Sequence, residues 1–229
     1  MKFQKITFNK VEDTKHIFRN SSGGYPLLAE DQEWPTCKIC SEKEVLFFQL
    51  DITENSGLPF MPASHFLVFM CPNHNEIPYF SYFKPGSALP EHYWELTEGH
   101  FRLILNPPGV KEKIYPLEPH LIYSSMELQE KEEEIDESYG KVTGIPTFKL
   151  GGIPSWAQDE EYHYCSCGAK MEFICQVPLD FGFPKSADAK VQPDTGSKDD
   201  YVLFLGNEAY FFACAARCNP LAVWVVVQN

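Results

Sequence analysis

A segment bearing a pair of cysteines occurs twice in this chain: GGYPLLAEDQEWPTCKICSEKEVLFFQLD, beginning at Gly23, returns as GGIPSWAQDEEYHYCSCGAKMEFICQVPLD, beginning at Gly151. Gly23, Gly24, Pro26, Ala29, Asp31, Glu33 and Cys37 match Gly151, Gly152, Pro154, Ala157, Asp159, Glu161 and Cys165 without a gap. The second cysteine pair has one residue fewer, CxC against CxxC, and a one-residue gap there aligns Cys40, Lys43 and Gln49 with Cys167, Lys170 and Gln176. A repeat of this kind obliges the chain to build one local structure twice, and two copies are too few for a solenoid. The expectation is two halves of one pseudo-symmetric body.

Downstream, each copy continues into an apolar run that ends in a second ligand-like pair, FLVFMCPNH (Phe66 to His74) and AYFFACAARC (Ala209 to Cys218). Runs rich in branched and aromatic residues, Val45 to Leu50, Phe66 to Met70, Met171 to Val177 and Ala209 to Ala213, are short enough for buried strands. In each copy one strand leaves the first pair and the other runs into the second. Antiparallel pairing therefore brings both pairs to the same end of the ladder.

Four thiolate or imidazole donors supplied as two close pairs suit a tetrahedral ion, and zinc above the alternatives. The candidate ligands are Cys37, Cys40, Cys71 and His74 in the first half, and Cys165, Cys167, Cys214 and Cys218 in the second. His163 is close enough in sequence to replace a ligand of the second set. A full set of protein donors leaves no position for water or substrate, which marks a structural site. The expected cofactor is zinc, in two structural sites. Buried cysteines without metal are the competing reading.

The chain has 229 residues, a formal net charge of −13 and eight cysteines. That charge opposes nucleic-acid binding, which relies on lysine and arginine to displace counterions from phosphates. It accommodates a basic protein partner, and it also simply favours solubility. The longest apolar run, Leu221 to Val227, is far short of the roughly 20 residues of a membrane span, and MKFQKITFNK does not resemble a signal peptide. Cysteines without a secretory signal read as metal ligands of a cytoplasmic protein rather than as disulfides.

The expected fold class is α+β, predominantly β: a duplicated module with antiparallel strands and a metal site in each half. It forms one domain over residues 1–229, comprising a first half with extension (1–120), an acidic connecting helix (121–140) and a second half (141–229). Phe3 to Phe8 reads as an edge strand. Phe101 to Leu105 and Ile114 to Tyr115 read as strands around the turn Asn106 to Gly109. Ser124 and Glu127 fit a capping box that opens a helix through SMELQEKEEEIDES, closed near Gly140. Gly206 and Asn207 suggest a hairpin turn between Tyr201–Leu205 and Ala209–Ala213, and residues 184–200 read as an inserted polar loop.

Gln49 and Gln176 recur inside apolar strands. Each amide can satisfy the backbone of the neighbouring glycine loop, since a buried polar group needs partners, or it can contact a bound peptide. Trp34, Trp156, Tyr25 and Phe60 are either core or the lining of a groove. Cys175 reads as a packing residue, with no cation beside it to support a reactive thiolate.

KLGGIPSW (Lys149 to Trp156), CSCGAKMEFICQ and YFFACAARC, together with SSGGYPLLAEDQEWPTCKICSEKEVLFFQLD, resemble the YwqG-like family of bacterial proteins of unknown function. The same order of motifs is similar to the programmed cell death 2 family. The first resemblance implies a mixed fold dominated by β structure without an established activity, and the second a chaperone-like handling of a basic ribosomal protein. The chain departs from the pattern where LLAE follows the first proline in place of SW, and where His74 stands opposite a cysteine.

The functional expectation is a non-catalytic, zinc-stabilised protein-interaction module, chaperone-like or an immunity factor for a basic partner. The alternative is a metal-assisted hydrolase using Asp31, Glu33, Asp159 and Glu161. No HExxH, phosphate loop or serine elbow supports it.

Overall fold

In the computed structural model, residues 1–78, 83–96, 99–133 and 144–229 are described. Fourteen strands run through them: β1 (Lys2–Lys10), β2 (Ser21–Ser22), β3 (Leu27–Ala29), β4 (Val45–Asp51), β5 (His65–Met70), β6 (Phe101–Asn106) and β7 (Glu112–Ile114) precede β8 (Ser124–Glu132), β9 (Lys149–Leu150), β10 (Met171–Val177), β11 (Phe183–Pro184), β12 (Asp200–Tyr201), β13 (Glu208–Cys214) and β14 (Val223–Gln228). Short 3₁₀ turns are the only helical elements among the described residues. The protein is therefore mostly β, and its ladders are antiparallel.

Ten strands form one sheet in the order β14-β13-β10-β9-β1-β8-β2-β4-β5-β6, while β3 pairs with β7 and β11 with β12. The order reads alike from both ends. Ser21 of β2 lies between Ser125 of β8 and Gln49 of β4, just as Lys149 of β9 lies between Lys5 of β1 and Gln176 of β10. The long β1–β8 ladder sits at the centre. The outer ends of the sheet approach each other, for the Leu105 amide of β6 donates to the Pro220 carbonyl at 2.8 Å.

One irregularity recurs in both wings. The β4–β5 register shifts between Leu46 and Phe48, and the β10–β13 register shifts between Phe173 and Cys175. A bulge adds a residue and resets which side chains face which way. Phe47 and Phe48 therefore both enter the main core, as do Ile174 and Cys175, while Leu46 and Phe173 pack on the outer faces. After the bulge Gln49 and Gln176 fall on the glycine-loop side.

The main core is shared by the two halves. Phe211 of β13 meets Phe48 and Phe66 of the first wing with ring centroids 5.9 and 5.6 Å apart, and Phe101 meets Phe204 at 5.3 Å. Each outer face has its own smaller cluster, one built on Leu28, Trp34 and Phe69, the other on Trp156, Phe212 and Trp224. Long loops cross between halves. Leu89 and Tyr93 cover the second outer cluster, while Phe183 and Tyr201 pack on Phe47 of the first wing.

Four local expectations are corrected. Ser124 to Glu132 is strand, not helix: it pairs with β1 along its whole length, and Ser124 and Met126 are buried while Glu127 and Gln129 are exposed. This is a period of two, and pairing overrides the helix preference of Glu, Lys and Gln. Beyond Glu133, the remainder of the expected helix, to Gly140, falls outside the described residues. Phe3 to Phe8 belongs to an interior strand, since β1 has β9 on one side and β8 on the other. Residues 201–213 form no hairpin: Tyr201 pairs with Phe183, and the chain turns through Leu205 and Gly206, at φ 59° and 84°, before β13 pairs with β10 and β14. Of the expected strand at Ile114 to Tyr115, only Ile114 lies in β7.

Candidate metal centres

Two turns supply each cluster. The first cysteine pair of each half sits in a tight turn ahead of the central wing strand, β4 or β10. The Cys37 carbonyl accepts from Ser41 and the Cys165 carbonyl from Gly168, both at 2.8 Å. Both turns need a left-handed residue, Ser41 at φ 62° in the longer one and Gly168 at φ 88° in the shorter, a conformation that costs glycine least. The second pair follows the neighbouring strand, where the Cys71 carbonyl accepts from His74 at 3.4 Å and the Cys214 carbonyl from Arg217 at 2.9 Å.

The donor atoms of Cys37, Cys40, Cys71 and His74 all lie within 4.8 Å of one another, and so do those of Cys165, Cys167, Cys214 and Cys218. Cys40 Sγ is 3.6 Å from Cys71 Sγ, and His74 Nδ1 is 3.5 Å from both Cys37 and Cys71 Sγ. In the second cluster the Cys165–Cys218 and Cys167–Cys214 sulfur distances are both 3.5 Å. A tetrahedral ion with metal–sulfur bonds of about 2.3 Å requires sulfurs about 3.8 Å apart. Both clusters have the size and the donor set to hold a metal ion.

Electrostatics point the same way. Burial pushes the Cys71 thiol up to about 12, and burial also raises Cys214. Cys167 is held down at about 7, first by the Ala169 backbone amide and then by neighbouring thiols. Four crowded sulfurs cannot all ionise without a compensating positive charge, and a divalent ion supplies it.

His163 does not join the second cluster: its Nε2 lies 2.9 Å from Glu161 Oε1, and the side chain is buried against the Trp224 ring. The acidic loop residues are also elsewhere. Glu33 accepts from the Tyr115 hydroxyl at 3.0 Å and Glu161 is held by His163; among the described residues neither cluster includes Asp31, Glu33, Asp159 or Glu161. Cys175 is fully buried in the main core, and burial raises its thiol well above the usual value. Trp34, Trp156 and Phe60 are core residues, whereas Tyr25 is half-buried.

The glutamines anchor the glycine loops. Gln49 Oε1 accepts from the Leu27 amide at 3.1 Å, and its Nε2 donates to the Tyr25 carbonyl at 2.8 Å and to Ser21 Oγ at 3.2 Å. Gln176 Oε1 accepts from the Ser155 amide at 3.0 Å, and its Nε2 donates to Ser155 Oγ at 2.6 Å and to Glu208 at 3.0 Å. Next to Gln49, a charged group of Arg19, Asp51, His65 and Glu112 is present that sequence reasoning missed. Arg19 bridges Asp51 and Glu112, each at 2.6 Å, and His65 Nδ1 lies 2.7 Å from Asp51. Burial raises the Asp51 pKa, but the bonds from His65 and Arg19 outweigh it and hold the carboxyl below its usual value. This set has no counterpart in the repeat, so the repeat carried no signal for it.

Among the described residues no helix is long and apolar enough to cross a membrane. No protein-family model matches the chain, and no curated protein matches its sequence.

Proposed function

We propose that the protein is a duplicated, zinc-stabilised interaction module without catalytic activity of its own. The observation that carries this reading is the pair of closed four-donor clusters. Four protein donors satisfy a tetrahedral ion and leave no place for a substrate, so the metal's role is to hold turns together. Cysteine-rich donor sets favour zinc over magnesium or calcium, and they need the reduced thiols of a compartment such as the cytoplasm.

Duplication is supported by the sheet order that reads alike from both ends and by the matching bulges. On this reading β1 and β8 are the first strands of the two copies, each inserted beside the other copy's wing. The motif resemblance to the YwqG-like and programmed cell death 2 families fits a binding role. The net charge of −13 makes a basic protein the favoured partner.

Metal analysis and unfolding test the central claim together. Purified untagged protein is expected to carry two zinc ions per chain, and Cys71→Ala to unfold well below the parent, with a smaller further loss on chelation. Equal melting midpoints for parent and variant, with or without chelator, refute the structural-metal role. A tagged pull-down at low and moderate salt tests the partner, which is expected to be a discrete basic protein released as salt rises.

A further inference from the structure

The two clusters differ in ways that bear on oxidation. In the first, Cys37 and Cys71 are buried, Cys40 is half-buried and the fourth donor is an imidazole; in the second all four donors are thiols, and Cys167 and Cys218 are exposed. Each close sulfur pair of the second cluster includes one exposed member, Cys218 beside Cys165 and Cys167 beside Cys214, both at 3.5 Å. The close pair of the first, Cys40 and Cys71 at 3.6 Å, has no exposed member. Oxidant attack on a cysteine follows thiolate character and access.

We propose that the second cluster is an oxidation site: peroxide converts its thiolates to disulfide and expels its metal while the first cluster retains its own. This inference rests on the two-zinc reading above. The exposed sulfur of Cys167 or Cys218 attacks a peroxide oxygen, the O–O bond breaks, and a sulfenic acid and one water result. The neighbouring thiol then attacks that sulfur, forming the S–S bond and breaking S–O, and a second water leaves. Two electrons pass from two sulfurs to one peroxide, two protons complete the waters, and zinc departs as the aqueous ion.

The consequence extends to the first half. Cys165 and Cys214 pack in the same apolar cluster as Leu89 and Tyr93 from the crossing loop. Loss of the metal frees the turns against which that loop rests. Oxidation of the second half is thus transmitted to a segment contributed by the first.

The test treats zinc-loaded full-length protein with hydrogen peroxide in the presence of a chromophoric chelator, then alkylates free thiols and maps the products by mass spectrometry. The expected result is loss of one of the two zinc equivalents, with disulfide confined to Cys165, Cys167, Cys214 and Cys218. Cys175 should stay reduced, and a thiol reductant with added zinc should restore the starting state. Release of both equivalents together, release from the first cluster first, or zinc retention at a peroxide level that oxidises a free-cysteine control overturns the inference and leaves the two-zinc reading standing. Protein that binds no zinc before treatment overturns both.

Discussion

Replacing Gln49 with leucine should cost more stability than the same replacement of Gln176, although the two residues occupy matching places in the sheet. Both side chains are fully buried. Besides a long 3.5 Å bond to the Phe18 carbonyl, Gln49→Leu removes the partner of two closely held backbone groups, the Leu27 amide and the Tyr25 carbonyl. A buried group stripped of its hydrogen bond costs about 1–3 kcal/mol, so the pair amounts to about 2–6 kcal/mol. Gln176→Leu leaves one backbone group without a partner, the Ser155 amide: the Ile145 carbonyl, 3.5 Å from Gln176 Nε2, still accepts from the Thr147 amide at 2.9 Å, and the other two bonds go to side chains that still hold each other, Ser155 Oγ donating to Glu208 at 2.6 Å. The expected cost is about 1–3 kcal/mol. Urea unfolding of both variants in zinc-replete buffer, followed by tyrosine and tryptophan fluorescence, measures the difference. Equal losses, or a larger loss for Gln176→Leu, refute the claim that the amides act by satisfying the glycine-loop backbone.

Two further predictions concern buried charge. Burial lifts the Glu44 pKa to about 8 against the opposing pull of Arg102 and Lys38. The folded state therefore holds a proton that the unfolded state has released, so the contribution of this carboxyl to stability is fully present below about 4.5 and is lost as pH rises to about 8. Glu44→Gln should flatten that window, as read from unfolding midpoints across pH, and an unchanged slope contradicts it. The Lys149 ammonium lies 2.7 Å from Glu133 with both side chains fully buried; Lys149→Met should cost about 3–5 kcal/mol, and the double variant with Glu133→Gln less than the sum of the single changes. Additive losses in a double-mutant cycle would refute the pairing.

Much of the candidate site was legible because its signals are local. Cysteine spacing and the directions of β4, β5, β10 and β13 were enough to bring eight donors into two groups, and a glutamine inside an apolar strand pointed to the loop beside it. The misses share a physical cause. Glu, Lys and Gln favour helix locally, and nothing within Ser124 to Glu132 announces that its partner is the distant β1. The interior place of β1 depends on the same long-range pairing. His163 looked available from its position two residues before Cys165, but a carboxylate at hydrogen-bond distance engages it. The Arg19, Asp51, His65 and Glu112 group comes from four separate elements and one copy only, so neither spacing nor repetition marks it.

The proposed reading of β1 and β8 as exchanged first strands makes a prediction about the halves themselves. A fragment of residues 1–120 keeps β2, β4, β5 and β6 but loses β8, the strand that joins β1 to β2. It also loses the aromatic partners of its core: Phe211 against Phe48 and Phe66, Phe183 against Phe47, and Phe204 against Phe101. Each phenylalanine returned to water costs about 1.5–3 kcal/mol, and a few such losses equal the whole stability of a typical domain, about 5–15 kcal/mol. A bound zinc can order the turn pairs of each fragment without rebuilding that core. Each fragment alone should therefore lack a cooperative thermal transition even with zinc, whereas co-expression of 1–120 with 121–229 should yield a stable complex, because the break falls between β7 and β8 and cuts neither strand. A sharp calorimetric transition for either fragment alone would mean that the halves are separate domains that merely touch.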